Sequence, residues 1–289
     1  MTKEIDLKEQ RKLQVQGLSY IKKICDENEI SYFLANGTLL GAVKYNGYIP
    51  WDDDIDICLK RKDYIKLLEV MENEKNEEYE LLTVYNTKDY YYPYAKLVNK
   101  KTRVIENAKE IRKLGVYIDI FPIDYFDEDV MKYYHKIRFV RNMSARRIRI
   151  RNNLEKSSFN VKKEKKVHFK FIKNIIYTFV DIVSLPLGYN FWAKYLDKIV
   201  SKNACGNYSG VIFINPPKIF STSLFDSTSE YEFEFQMFTS VKDYDCYLSN
   251  LYGDYQKDLP EHQRRSHHQI KAYWRDDYER FNKCNCSCI

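Results

Sequence analysis

Gly47-Tyr48-Ile49-Pro50-Trp51-Asp52-Asp53-Asp54-Ile55-Asp56 is the stretch on which the reading turns. Four carboxylates fall within five residues, bracketed by Ile49, Trp51, Ile55 and Ile57. Crowded anions repel one another and resist burial among apolar neighbours. A cation relieves both costs. Mg²⁺ takes hard oxygen ligands, usually a few carboxylates plus substrate phosphates, and Mn²⁺ is the alternative. Residues 54–59 alternate with period two, so a strand would place Asp54, Asp56 and Cys58 on one face and the isoleucines on the other. An exposed acidic turn is the ordinary explanation of such a run, but it has no use for Trp51 or the alternating isoleucines. An EF-hand loop would need its internal Gly and closing Glu at fixed spacing, and both are missing.

A third ligand is expected from a neighbouring strand. Asp119, inside Val116-Tyr117-Ile118-Asp119-Ile120-Phe121, is a charge amid apolar residues and needs a partner. Asp124 is the alternative, but after Pro122 it reads as a loop or cap residue. Upstream, Gly37-Thr38 sits between a short apolar strand and a helical turn. Glycine there lets backbone amides approach a phosphate, and the Thr hydroxyl and helix N-terminus add donors. Lys96 is a candidate for a phosphate oxygen, against the alternative of a surface strand lysine. Arg264 and Arg265, with His267 and His268 just beyond, could meet phosphate or an anionic acceptor, or form a solvated basic stretch. Tyr48 and Trp51 could stack on a base or sugar, and packing is the preferred reading for Trp51.

Periodicity predicts helices over 7–28, 61–74, about 128–151, about 168–200 with a break at Pro186, and 243–252 ending at Gly253. Strands are expected over 32–35, 54–59, 79–85, 92–99 and 116–120, and one or two helical turns over 39–43. The fold class is therefore α+β: a small mixed sheet with flanking helices, then a mainly helical C-terminal half. The expected division is a catalytic core over 1–127, a mainly helical region completing the site and carrying a basic patch over 128–275, and a disordered cysteine-containing tail over 276–289.

The run Gly37 to Asp56, GTLLGAVKYNGYIPWDDDID, closely resembles the LicD family of phosphotransferases, relatives of fukutin and fukutin-related protein. Further matches are Tyr94-Ala95-Lys96-Leu97-Val98 with Thr102 beyond, and Ile118-Asp119-Ile120-Phe121-Pro122-Ile123-Asp124. Near the C-terminus, Tyr247-Leu248 precedes Leu251-Tyr252-Gly253-Asp254-Tyr255. The resemblance spans most of 10–275 and weakens over 130–230. It implies a nucleotidyltransferase-like fold. It also implies transfer of a substituted phosphate, such as phosphocholine or ribitol or glycerol phosphate, from a CDP-activated donor to a hydroxyl of a cell-surface glycan or its lipid-linked precursor. Teichoic acid, capsule and lipopolysaccharide are acceptors of that class. The matching residues make Asp54 and Asp56 metal ligands and Asp119 the third carboxylate. Gly37, Thr38, Lys96, Asp53, Arg264, Arg265 and His267 are the candidate substrate contacts. The gap from Gly37 to Asp54 is longer than in many nucleotidyltransferases. Two rivals remain: a nucleotidyltransferase acting on a small molecule, RNA or protein, and a non-enzymatic basic protein binding glycan or nucleic acid.

Composition bounds the rest. The 289 residues fit one large domain or two packed ones, and 44% hydrophobic content supports a substantial core. The 26 Tyr suit sugar or base platforms, though compositional bias is the preferred explanation. The formal net charge of +6 is concentrated between Lys136 and Lys173, where the only acidic residues are Glu155 and Glu164. Such a block favours polyanions. With a glycan acceptor, anionic membrane is the preferred partner and nucleic acid the least expected. Cys25 and Cys58 lie in apolar settings, as reduced thiols of a cytoplasmic protein would. Cys284, Cys286 and Cys288 complete no zinc-site spacing and end in no prenylation box. The N-terminus has no apolar signal core, and the stretch 172–192 is interrupted by Lys173, Asp181, Pro186 and Gly188. A cytoplasmic protein, peripheral to the inner face of the membrane, is the expectation.

Overall fold

A computed structural model of the chain describes residues 4–88, 90–106, 113–127, 135, 137–146, 167–188, 190–211, 218–257, 259–264 and 270–275. In chain order its elements are β1 (Glu4–Ile5), α1 (Leu7–Glu27), β2 (Phe33–Leu34), α2 (Asn36–Tyr45), β3 (Asp56–Lys60), α3 (Arg61–Asn73), β4 (Tyr79–Leu82), β5 (Ala95–Asn99), β6 (Thr102–Glu106) and β7 (Tyr117–Phe126). There follow a helical stretch over 137–146, here α4, then α5 (Val167–Ser184), α6 (Phe191–Val200), β8 (Tyr208–Val211), β9 (Lys218–Ser221), β10 (Thr228–Phe233), β11 (Gln236–Val241), α7 (Tyr244–Tyr252) and β12 (Ile270–Trp274). The α+β class and the predicted helices and strands of the first half are found.

The principal sheet runs β2-β3-β7-β5-β4, with β8 added to the far end of β7 and β9 to β8. Only the β3–β7 pair is parallel among these ladders. All ten residues of β7 are buried, which marks it as the sheet's central strand. Its reach corrects the sequence reading of Asp124, which sits inside the strand and not in a loop or cap. Pro122 is tolerated because β5 pairs with β7 only up to Ile120 and β8 begins only at Asp124. The missing N–H thus falls in the gap between those two partners, where no rung is required on that side. Helix α1 packs on β5 and β7 and opens with the Asp6 carboxylate accepting from Glu9 N–H at 2.8 Å. Its apolar stripe of Leu18, Ile21, Ile24 and Cys25 is fully buried in the main core.

The second half holds more strand than predicted. Among the described residues of 128–275, β8 to β12 lie beside α4 to α7. The hairpin β10–β11 closes with Glu234-Phe235, since Phe233 pairs with Gln236. Both turn residues have positive φ, 50° and 64°. Such a two-residue turn ordinarily advertises itself with Asn-Gly or Asp-Gly. Here tertiary ties replace that chemistry: Glu234 N–H donates to Asn46 O at 3.0 Å, and its carboxylate accepts from Tyr48 N–H at 3.2 Å. A separate sheet, β1-β12-β6, joins both ends of the described chain.

Candidate active site

The parallel pairing of β3 with β7 sets Asp56 directly opposite Asp119. The antiparallel pairing of β5 with β7 sets Lys96 opposite Asp119 on the other side. Three strands therefore present Asp56, Asp119 and Lys96 in one row across the sheet. Asp54 lies two residues before Asp56, on the extended approach to β3. Oxygens of Asp54, Asp56 and Asp119 lie within 4.8 Å of one another, and a second group, Asp52, Asp53 and Asp54, meets the same limit. Burial pushes the Asp54 carboxyl well above the usual carboxylate range, and the nearby charges of Asp56, Asp52 and Asp119 push it further. A divalent cation answers each of those causes, because it supplies positive charge and replaces lost solvent at the same oxygens. The residues present therefore fit a metal: hard anionic oxygens, mutually repelling and converging on one point.

The approach loop is held from behind by α1. Gln10 Nε2 donates to Asp53 O at 2.8 Å, and Gln14 Nε2 donates to Asp53 O at 3.0 Å and Tyr117 O at 3.2 Å. Arg11 donates to the carbonyls of Ile49, Pro50 and Asp52 and lies 4.6 Å over the Tyr48 ring. Tyr48 is buried and its hydroxyl donates to Gln14 Oε1 at 2.9 Å, so it packs and braces the loop. A chain bearing consecutive aspartates is thus fixed through its backbone, which leaves the carboxylates aimed forward. Sequence reasoning passed over these α1 residues. The available signal was Gln10 and Gln14 on the face that α1 buries.

Helix α2 closes the other side. Gly37 lies in its first turn, where a Cβ would stand 2.6 Å from the Asp52 carboxylate. Only glycine lets that acid approach so closely. Thr38 is buried, and its hydroxyl accepts from Asp56 N–H at 2.8 Å, fixing the start of β3. Asn36, at φ 46°, opens α2. Its side-chain amide donates to the Asp56 carboxylate at 3.0 Å. Asn tolerates left-handed backbone better than most residues, which suits it to this corner.

Lys96 is no surface lysine. It is buried, ion-paired with Asp119, and surrounded by tyrosines, with Nζ 3.5 Å from the Tyr117 ring centre, 4.8 Å from Tyr92 and 5.5 Å from Tyr94. Asp53 is buried behind the loop. Arg264 is exposed, with its guanidinium 5.5 Å from the Trp51 ring. Arg265, His267 and His268 lie outside the described residues.

A cavity of about 380 Å³ opens in front of the acids, with Gly37, Trp51, Asp54, Asp56, Tyr252 and Asp254 in its wall. That volume lies at the small end of ligand pockets. Trp51 is half-buried and faces this space. Tyr252 and Asp254 arrive from the end of α7, where Gly253 adopts φ 72° and turns the chain. The Tyr-Gly-Asp-Tyr element, some two hundred residues from the acids in sequence, is thereby brought to the same cavity.

Residues 29–161 match the family model described as LicD/FKTN/FKRP, nucleotidyltransferase domain. The chain is 30% identical over 281 residues to the lipopolysaccharide cholinephosphotransferase LicD of Haemophilus influenzae, covering 94% of this chain and 99% of that one. Two shorter likenesses are to uncharacterized proteins of Rickettsia. One, from Rickettsia prowazekii, is 43% identical over 17% of this chain and 18% of its own; the other, from Rickettsia typhi, is 27% identical over 40% and 36%. With three carboxylates converging, two of them on a cavity wall, and near-full-length similarity to such a relative, the chain belongs to the LicD family.

Proposed function

We propose that this protein transfers a substituted phosphate from a CDP-activated donor to a hydroxyl of a glycan or its lipid-linked precursor, with Mg²⁺ or Mn²⁺ held by Asp54, Asp56 and Asp119. The observation that carries the reading is the Asp56–Asp119 register, with Asp54 in reach, where Asp54 and Asp56 line a cavity. Among the alcohol phosphates, phosphocholine is favoured, because the relative matched over nearly the whole chain is named a cholinephosphotransferase. A divalent ion at that point would neutralise the donor pyrophosphate and polarise the acceptor hydroxyl.

The chain's own residues do the positioning. The acceptor oxygen forms a new bond to the phosphorus that carries the alcohol, and the bond from that phosphorus to CMP breaks. CMP departs with the bonding pair, and the acceptor proton passes to a carboxylate, for which Asp119 is our candidate. Lys96 holds Asp119 in orientation, while Asn36 holds Asp56. The first turn of α2 at Gly37, and Arg264 beside Trp51, are our candidates for donor contacts, while buried Thr38 and Asp53 hold β3 and the approach loop in place. Residues 1–127 act as the catalytic core and 128–275 complete the site through Tyr252 and Asp254.

The test is release of CMP from CDP-choline, CDP-ribitol and CDP-glycerol by the purified protein, with divalent metal and an acceptor glycan. Metal-dependent release from one donor is expected, CDP-choline first. No release from any donor, together with consumption of a nucleoside triphosphate, would transfer the site to the nucleotidyltransferase reading.

A further inference from the structure

Much of the basic block read from the sequence, over 147–166, lies outside the described residues, and among the described residues no helix is long and apolar enough to cross a membrane. The end of α7 carries a different kind of chemistry. Tyr247, Tyr252 and Tyr255 lie along that helix and the turn after it, and their hydroxyls meet different fates. Tyr247 is buried, stacks on Phe220 with ring centres 4.9 Å apart, and its hydroxyl accepts from Asn36 N–H at 3.4 Å. Tyr255 is buried and its hydroxyl donates to the Asp245 carboxylate at 2.6 Å. Both hydroxyls are engaged within the protein. Tyr252 is 47% exposed and lines the active-site cavity together with Asp52, Asp54 and Asp56. Its hydroxyl has no hydrogen-bond partner among the described residues.

That hydroxyl belongs to the acid end of the cavity. Burial pushes the Tyr252 phenol above its usual range, and the charges of Asp56, Asp52 and Asp54 push it further. A residue half open to the cavity with a desolvated hydroxyl has its phenol end sunk toward the acids. So placed, it keeps its proton and presents a neutral O–H donor. Neutrality suits this wall. A cation at the same point would pair with the carboxylates and compete with the metal they fit, whereas a phenol donates without cancelling their charge. The backbone around Tyr252 is also fixed. Lys44 of α2 donates to the carbonyls of Tyr255 at 3.4 Å and Gln256 at 3.1 Å, and Asn36 ties Tyr247 to the start of the same helix. A donor held in advance needs no rearrangement when it meets charge.

We propose that the Tyr252 hydroxyl donates a hydrogen bond to a phosphate oxygen of the bound donor, from the α7 side of the cavity. This contact rests on the phosphate-transfer reading above and gives the second half of the chain a direct part in holding the pyrophosphate. The phenol ring then serves as the carrier of the hydroxyl and not as a stacking platform.

Binding of CDP-choline and of inorganic pyrophosphate to the full chain is measured by calorimetry with Mg²⁺ and no acceptor. Tyr252→Phe removes the hydroxyl and keeps the ring. It should weaken both probes about tenfold, and lower CMP release from CDP-choline by a similar factor at low donor concentration. The melting temperature of the metal-free protein, and its rise on adding Mg²⁺, should not change, because the hydroxyl braces nothing and the three carboxylates are intact. Tyr252→Leu removes the ring as well and should weaken pyrophosphate no more than Tyr252→Phe does. Two results overturn the contact while leaving the phosphate-transfer reading in place. One is a Tyr252→Phe variant that binds both probes as tightly as the native chain. The other is loss of CDP-choline alone in Tyr252→Leu, with pyrophosphate retained, which would make the ring a platform for the base or the alcohol. A native chain that binds neither probe and releases no CMP removes the phosphate-transfer reading itself, and the Tyr252 contact with it.

Discussion

Strand β7 carries two buried aspartates five residues apart, and the contrast between them separates function from architecture. Asp124 accepts both prongs of the Arg61 guanidinium, at 2.7 and 2.8 Å, and Arg61 also donates to Asp197 at 2.8 Å. Tyr85 donates to the second oxygen of Asp197 at 2.6 Å. Burial raises the Asp124 carboxyl to about 6, while Arg61 draws it down. One guanidinium serves both carboxylates, and each carboxylate is hydrogen-bonded. At the other end of the strand, Asp119, paired with Lys96, joins Asp54 and Asp56, and the charges of Asp56, Asp52 and Asp119 each raise Asp54. Charge is balanced at Asp124 by the protein itself. Around Asp54 the protein supplies repulsion, which is tolerable in a folded chain when an external cation completes it. An ion pair with a bidentate partner holds elements together; a concentration of anions on a cavity wall prepares a binding event.

Four experiments test that contrast. The largest effect is expected for Asp56→Ala or Asp54→Ala, which should lower CMP release by about a thousandfold or more. Melting of the metal-free protein should stay level or rise, since each change removes a repelling charge. A variant that keeps turnover would end the catalytic reading of the cluster.

The reciprocal change is Arg61→Met. It leaves Asp124 and Asp197 buried without their cation and should cost about 3–5 kcal/mol of stability, read by denaturant unfolding. Turnover per folded molecule should change little. Stability unaffected by this substitution would show that the Arg61 network is dispensable and erase the distinction drawn above.

The third experiment uses pH and metal together. The folded-state value of Asp54 stands well above the ordinary 3.8. The folded chain therefore keeps a proton that the unfolded chain has lost, and metal-free stability falls as pH climbs from 3.8 through the raised value. Cations compete with that proton. Added Mg²⁺ or Mn²⁺ should raise the melting temperature by a few degrees near neutrality and by less in acid, and the shift should vanish in Asp54→Asn. An equal shift at all pH values would place the ion elsewhere.

The smallest effect concerns the brace behind the loop. Arg11→Ala removes donors from the carbonyls of Ile49, Pro50 and Asp52, and should lower turnover roughly tenfold while costing about 1–2 kcal/mol. A loss of stability with turnover intact would make Arg11 a purely structural residue.

The acids and their strands were legible in the sequence because period-two alternation and charges set among apolar neighbours, at Asp54, Asp56 and Asp119, are local signals. The helices α1, α3 and α7 announced themselves by apolar spacing and, for α7, by Gly253. The hairpin β10–β11 gave no such signal, since its Glu234-Phe235 turn reaches positive φ through contacts with Asn46 and Tyr48 and not through glycine. Asp124 was misread because Pro122 ordinarily breaks a strand, and only the arrangement of β5 and β8 shows where a missing N–H goes unused. Lys96 gave equal grounds for surface and site, and its burial among Tyr92, Tyr94 and Tyr117 was invisible without the sheet order.

The amino-acid order alone thus determined that acidic oxygens would cluster on apolar strands, because alternation and charge repulsion act between near neighbours. Tertiary structure alone decided which groups meet across long separations: Asp56 beside Asp119 by parallel register, Gln10 and Arg11 behind the loop, Asn36 on Asp56, and Tyr252 with Asp254 across the cavity. Register and packing are set by the sum of many weak contacts over the whole chain, and no short window of sequence contains that sum.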